Sequence, residues 1–362
     1  MKVLMISTDR SVFDKDSAFR ARLFEYQKHL GYITVLTLGV KGDEELSPDI
    51  RVVGILRKTK IGTLFTVYKK AGEIVASDTA EWLVTTQDEF TGLIGYMLRR
   101  RLGVTWRAEV HTDILSPWFG RVFFKNNIRK LIFRLTIGRA SCVRVVSERI
   151  KKSLEHMCAT CAPISVVPVK PKYPRGTSAG GGERFFIILS RLSYEKNIIS
   201  AIPAFKMVAD AFPDVLLKIV GDGPQKAVLE RQASDLGIRN RIVFLGWQQE
   251  TGPLLSGALG CISTSWYEGF GLSMLEAMSV GCPVITTDVG IAGDILKHEV
   301  SGIIVEHNDI KALADAMKLF IKEPERRARF GIEAKAASAP FFDEDAYWRA
   351  FDESFSTCKI KK

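Results

Sequence analysis

The sequence has no apolar run near the ~18 residues that a membrane-spanning helix needs, so no bilayer span is expected. The first apolar stretch, Met1–Ile6, is not followed by Gly-x-Gly-x-x-Gly, which argues against a dinucleotide-dependent oxidoreductase. Cysteine is sparse. Cys158 and Cys161 form a C-x-x-C beside His156, but no second pair stands at a matching spacing, so a four-ligand zinc site is incomplete. The others, Cys142, Cys261, Cys282 and Cys358, are scattered and mostly sit in apolar runs; all six are expected to be buried, reduced thiols. The opening MKVLMIS lacks the charged-then-apolar layout of a secretory signal, which leads to the expectation of a cytoplasmic chain. No zinc-finger spacing or aromatic RNA-binding motif occurs, so no nucleic-acid partner is expected.

What is present is an ordinary globular composition, 46% apolar and 25% charged over 362 residues. That length suits two domains, each able to bury its own core. The net charge of +10 is not spread evenly. Residues 1–168 hold 27 basic against 17 acidic residues, residues 169–362 hold 24 of each, and residues 99–152 alone hold 14 against 3. A basic segment this lopsided points to an anionic partner, or to a solvated cationic face.

Short apolar runs recur along the chain: Met1–Ile6, Ile33–Leu38, Arg51–Leu56, Trp82–Thr85, Arg107–His111 and Cys142–Ser147. Helical spacing lies between most of them, beginning with Phe19, Leu23, Tyr26 and Leu30, where Asp16 or Ser17 would cap. A Pro/Lys stretch with Gly180–Gly182 reads as a linker over Pro168–Glu183. The pattern then restarts with Phe185–Leu189, Val215–Val220, Arg241–Leu245, Leu259–Ser263, Pro283–Thr287 and Gly302–Val305, and with helices such as Ile198–Phe212 and Leu313–Ile321. Strands alternating with helices predict parallel sheets: two doubly wound halves, with ligands at the carboxyl ends of the strands and the site where the halves face each other. A last helix is expected over Asp343–Phe355.

The densest chemistry is Trp266-Tyr-Glu-Gly-Phe-Gly-Leu-Ser-Met-Leu-Glu-Ala-Met278, a strand end leading into a helix. Gly269 and Gly271 let backbone approach a ligand, and the amides of Gly271, Leu272 and Ser273 would stand at a helix N-terminus suited to phosphate. Glu268 and Glu276, with Phe270 between them in sequence, suit sugar hydroxyls on either side of that phosphate. Arg191 and Lys196 occupy another strand-end loop and would neutralise a diphosphate. Gly221, Asp222 and Gly223 form a turn before Pro224; Leu245 and Gly246 would edge a nucleobase; His111 ends a strand in Glu109-Val-His-Thr-Asp113.

Taken in order, Arg191-x4-Lys196, Val220-Gly-Asp-Gly-Pro224, Val243-Phe-Leu-Gly246, Glu268-Gly-Phe-Gly-Leu-x-x-Leu-Glu-Ala-Met278 and Pro283-Val-Ile-x-Thr-Asp-Val-Gly290 resemble glycosyltransferase family 4, most strongly over residues 184–325. The resemblance implies an α/β GT-B fold, two Rossmann-like doubly wound domains facing across a cleft: residues 1–168 on the acceptor side, residues 169–340 binding the donor, and a C-terminal helix, 341–358, packing back on the first. It implies a retaining hexosyl transfer from a UDP- or GDP-sugar to a glycan or lipid-linked acceptor in cell-surface polysaccharide or glycolipid synthesis. No metal or other cofactor is implied, the nucleotide-sugar being a co-substrate; the string Asp14-Lys-Asp16 lacks the context of a metal site. Glu268 would contact donor sugar hydroxyls, Glu276 the ribose, and Arg191 and Lys196 the diphosphate, with His111 near the anomeric centre. A GT-B nucleotide-sugar epimerase would share the architecture but lacks the E-x7-E pair.

The chain departs from the family pattern after its first strand, where Thr8–Arg22 holds no glycine. Either Ser17 or Arg20 supplies a phosphate contact there, or the loop, with Arg20 and Arg22, serves the acceptor. Between residues 121 and 139, Arg121, Lys125, Arg129 and Lys130 interleave with large apolar residues at helical spacing. This suits either an acceptor or a helix lying on an anionic membrane surface, placing the protein at the inner face of the membrane.

Overall fold

The computed structural model describes residues 1–56, 59–157, 162–174 and 182–358; Cys158, Cys161 and residues 175–181 of the linker lie outside this set. Runs of buried β-branched and aliphatic residues form most of the strands. In the first half these are β1 (Lys2–Ser7), β2 (Ile33–Leu38), β3 (Gly42–Ser47), β4 (Ile50–Ile55), β5 (Trp82–Thr86), β6 (Thr105–Val110), β7 (Cys142–Val145) and β8 (Ile164–Val166). Among the described residues they make one eight-stranded sheet, ordered β3-β4-β2-β1-β5-β6-β7-β8. Every pair is parallel except β3 with β4. Val3 to Ile6 of β1 are buried in succession, as a parallel strand covered on both faces requires.

The edge strands β3 and β8 are the ones the sequence pattern did not announce; β8 has only three residues, and β3 has no apolar run. The residues of β3, GDEELS, are acidic rather than apolar, and only its pairing with β4 makes it a strand. Charges on a sheet edge discourage pairing with another chain.

The second half holds β9 (Arg184–Leu189), β10 (Val215–Val220), β11 (Ile242–Gly246), β12 (Gly260–Ser263), β13 (Val284–Thr287) and β14 (Gly302–Val305). These form an all-parallel sheet ordered β11-β10-β9-β12-β13-β14. Phe186, Phe205, Phe320 and Phe330 anchor its core. In both sheets the strand order reverses at the first strand, between β1 and β5 and between β9 and β12. Such switch points open a crevice at the carboxyl ends of the strands.

The chain divides into two units. One comprises Met1–Leu115, Phe123–Val167 and Trp348–Lys362; the other comprises Ser116–Val122 and Pro168–Tyr347. The C-terminal helix, Glu344–Ser356, therefore begins in the second unit and counts with the first from Trp348 onward. There Phe351 stacks on Tyr26 at 5.1 Å and Trp348 on His29 at 4.1 Å.

One expectation is corrected here. Cys142 of β7 and Cys358, just past that helix, are joined as a disulfide across 216 positions rather than being separate reduced thiols. β7 and the docked helix bring their Cα atoms to 5.1 Å, a juxtaposition that spacing in sequence does not reveal. Cys261 and Cys282 are free and buried.

Candidate active site

In the second unit the loops after β9 and β12 meet. Lys196 donates to Glu268 Oε1 at 2.6 Å, and Ser265 Oγ donates to the same oxygen at 2.8 Å. Both members of the ion pair are largely shielded, with side chains 15% and 14% exposed, so it is held more firmly than a surface pair. Backbone and side-chain bonds sew the loops together: Trp266 N–H to Glu195 O, and Thr264 Oγ1 to the carbonyls of Lys196 and Asn197. The pair thus joins residues 72 positions apart at the crevice where the sheet order reverses. Arg191 stands apart from it, exposed, with its guanidinium on Glu195 at 3.3 Å.

The helix Leu272–Ser279 starts from Gly271, in the left-handed region at φ 98°, and no side chain caps it. Its first amides have no intrahelical acceptors, which gives the positive end of the dipole to whatever lies there. Glu276 is one turn further along. Burial pushes its carboxyl up to about 7, Lys172 opposing.

Gly221 and Gly223 have a more specific role than ligand approach. A Cβ on Gly221 would lie 1.9 Å from Ser190 O, and one on Gly223 2.5 Å from Leu192 O. The turn is packed backbone to backbone on the Arg191 loop, with Leu192 N–H donating to Asp222 O. Asp222 itself accepts from Gly223 N–H. Gly246 O accepts from Gly221 N–H, and Leu245 O accepts from Gln248. Gly290, quoted in the motif but given no role, holds the Glu268 loop: at φ 55° its missing Cβ would sit 2.2 Å from Phe270 O. Gly269 and Phe270 are buried within that loop.

The first unit places His111 one residue past β6. Its Nε2 lies 3.3 Å from Glu109 Oε2. Sequence reading passed over Glu109, although it stands two residues before His111. Burial would raise its carboxyl, but Arg144, the His111 hydrogen bond and Arg107 outweigh that and hold it well below the usual carboxylate range. Arg107, itself pulled down to about 10 by burial, also donates to Ser354 O of the C-terminal helix at 2.7 Å.

The remaining predicted cations serve within their units. Ser17 caps the helix Ala18–Leu30, and Arg20 pairs with Glu44 of β3 at 2.9 Å. Arg22 lies over the Phe19 ring. Arg121, on the short helix Phe119–Val122, lies over Trp118 in the second unit. Arg129 is paired with buried Glu89, and Lys130 donates to Leu115 O. Lys125 is exposed, near the Phe123 ring.

Residues 169–337 match the family model for glycosyl transferases, group 1. The enzyme class expected from the motifs, a glycosyltransferase, is the class this model describes. Over 256 residues the chain is 30% identical to the UDP-Gal:alpha-D-GlcNAc-diphosphoundecaprenol alpha-1,3-galactosyltransferase of Escherichia coli, covering 65% of each. It is 32% identical over 149 residues to the poly(glycerol-phosphate) alpha-glucosyltransferase of Bacillus subtilis, which is 41% of this chain and 22% of that one. The chain spans from about a fifth to about two thirds of the length of these relatives. Sucrose-phosphate synthase from Thermosynechococcus elongatus superposes with a TM-score of 0.79 at 20% identity, covering 98% of both chains. HepE of Anabaena, solved in complex with UDP, superposes with 0.76 at 21%, covering 99% of this chain and 100% of that one. The fold is GT-B.

Proposed function

We propose that this chain transfers a hexose, with retention of configuration, from a UDP- or GDP-sugar to a glycan or lipid-linked acceptor, in the synthesis of a cell-surface polysaccharide or glycolipid. The observation that carries the reading is the shielded Lys196–Glu268 pair at the switch point of the second sheet, beside an uncapped helix N-terminus. A cation, a carboxylate and free-standing amides match the parts of a nucleotide-sugar: diphosphate on Lys196, Arg191 and the amides of Gly271 to Ser273, sugar hydroxyls on Glu268, ribose hydroxyls on Glu276. The printed names of the relatives, a UDP-galactose donor and a diphosphoundecaprenol acceptor among them, support the donor and acceptor classes. The resemblance to family 4 supports retention and a reaction without divalent metal.

In the mechanism proposed, the acceptor oxygen attacks the anomeric carbon from the face that the leaving diphosphate vacates. The bond from that carbon to the phosphate oxygen breaks, and the acceptor proton passes to that phosphate oxygen. Lys196 and Arg191 stabilise the charge that develops on the diphosphate. His111, held by Glu109, would lie at the sugar.

The test is turnover with a panel of nucleotide-sugars in the presence of a chelator. Lys196→Ala, Arg191→Ala and Glu268→Ala are each expected to lower kcat by about a hundredfold or more, as losing a charge aimed at the transition state does. Three variants near wild type would sink the assignment.

A further inference from the structure

The helix Lys125–Thr136 of the first unit carries two opposite apolar faces. One packs inward: Phe133, Thr136 and Ile137 are buried, with Asn126 beside them and Arg129 turned in to Glu89. The other meets solvent. Phe124 is 85% exposed, Ile128 56%, Leu131 57% and Leu135 57%. Their spacing of four, three and four residues places them within a sector of about 60° on a helical wheel, diametrically opposite the packed face. Phe124 has helical backbone angles and extends the stripe by a turn. Scattered exposed hydrophobes need no explanation, but four aligned on one helix do.

The charges around the stripe have one sign. Lys125 and Arg134 are exposed on its two flanks. At its C-terminal end Arg139 lies over the Tyr96 ring at 5.6 Å, and Arg100 donates to the Tyr96 hydroxyl at 3.4 Å, so cations from two helices gather there. No acidic residue occurs in the sequence between Asp113 and Glu148.

We infer that this face docks on an anionic lipid surface, with Phe124, Ile128, Leu131 and Leu135 entering the acyl boundary and Lys125, Arg134, Arg139 and Arg100 at the headgroups. An apolar stripe flanked by cations on a helix too short to span is the pattern of an interfacial helix. Among the described residues no helix is long and apolar enough to cross a membrane, so any association of them with lipid is at the surface. A second copy of the chain fits less well. A two-fold contact through the stripe would set Lys125 and Arg134 of one copy among the same cations of the other, with no acid in the sequence between Asp113 and Glu148 to offset them. Nucleic acid would leave the aliphatic stripe uncovered. The inference stands on exposure and charge, independently of donor chemistry.

The test is flotation of the full chain with vesicles of phosphatidylcholine, with and without phosphatidylglycerol, together with size-exclusion chromatography. Binding is expected only with the anionic lipid and is expected to fall with salt. Ile128→Ser/Leu131→Ser and, separately, Lys125→Glu/Arg134→Glu are each expected to cut partitioning by about tenfold or more, with melting curves unchanged. Phe124→Ser, at the most exposed position, gives a variant whose folding is not at risk and is expected to weaken binding severalfold. Absence of binding to anionic vesicles, binding that the variants leave intact, or a wild-type dimer that the serine variants dissociate would each overturn the inference.

Discussion

The two glutamates of the donor motif were legible as a pair because the residue type itself carries the chemistry. What set their different properties was not legible. Glu268 is committed to Lys196, 72 positions away, while Glu276 sits where burial lifts its carboxyl to about 7. That shift makes a pH prediction. Below about 7 Glu276 is protonated and can spend only part of its acceptor capacity on hydroxyls; above it the carboxylate accepts two. If Glu276 holds the ribose, donor KM is expected to fall severalfold as pH rises through about 7, and Glu276→Gln is expected to raise KM and flatten that dependence. A wild-type profile that the glutamine leaves unchanged would remove Glu276 from the donor. In the free protein the sign is opposite. The unfolded chain ionises near its ordinary value of 4.5 and the folded chain only near 7, so the contribution of this group to stability falls as pH rises between them.

At the scale of elements, apolar periodicity located the buried strands because a parallel strand covered on both faces is apolar throughout, as β1 and β9 are. It missed β3, whose acidic residues are explained by an edge and a partner rather than by any local pattern. It also read Gly221 and Gly223 only as a turn near a ligand and gave Gly290 no role. Gly221, Gly223 and Gly290 are needed first because loop backbones pack on one another there. The clearest consequence is at Gly290. Alanine there would carry a strained positive φ and a Cβ driven into Phe270 O, so the loop bearing Glu268 must shift. Gly290→Ala is expected to destabilise the second unit by about 1–3 kcal/mol and to impair turnover with it. An unaltered melting temperature together with unaltered kcat would show that the loop does not depend on this contact.

Over the whole molecule, the repeated strand-helix alternation announced two doubly wound units, and the family resemblance, rather than any local pattern, put the chain's end on the first. Trp348 to Cys358 counts with the first unit, held by Arg107 on Ser354, by Phe351 on Tyr26 and by the Cys142–Cys358 disulfide. The expectation of reduced thiols and this pairing lead to a direct measurement. In chain-entropy terms a cross-link closing so long a loop is worth up to about 5 kcal/mol, because it removes so many conformations from the unfolded chain. The noncovalent contacts persist without it, so reduction is expected to loosen the chain's end rather than release it. Thermal melts should then show the oxidised protein several degrees above the reduced one, with two more thiols titrating after reduction and denaturation. Cys358→Ser should melt like the reduced wild type whether or not reductant is present. Should oxidised and reduced protein melt together, the cross-link would be neutral, and the end of the chain would be held by its noncovalent contacts, Arg107 on Ser354, His29 on Asp352 and the aromatic stack among them. In a reducing compartment those contacts would have to suffice, which makes the buried Arg107–Ser354 bond the part of this attachment that function can rely on.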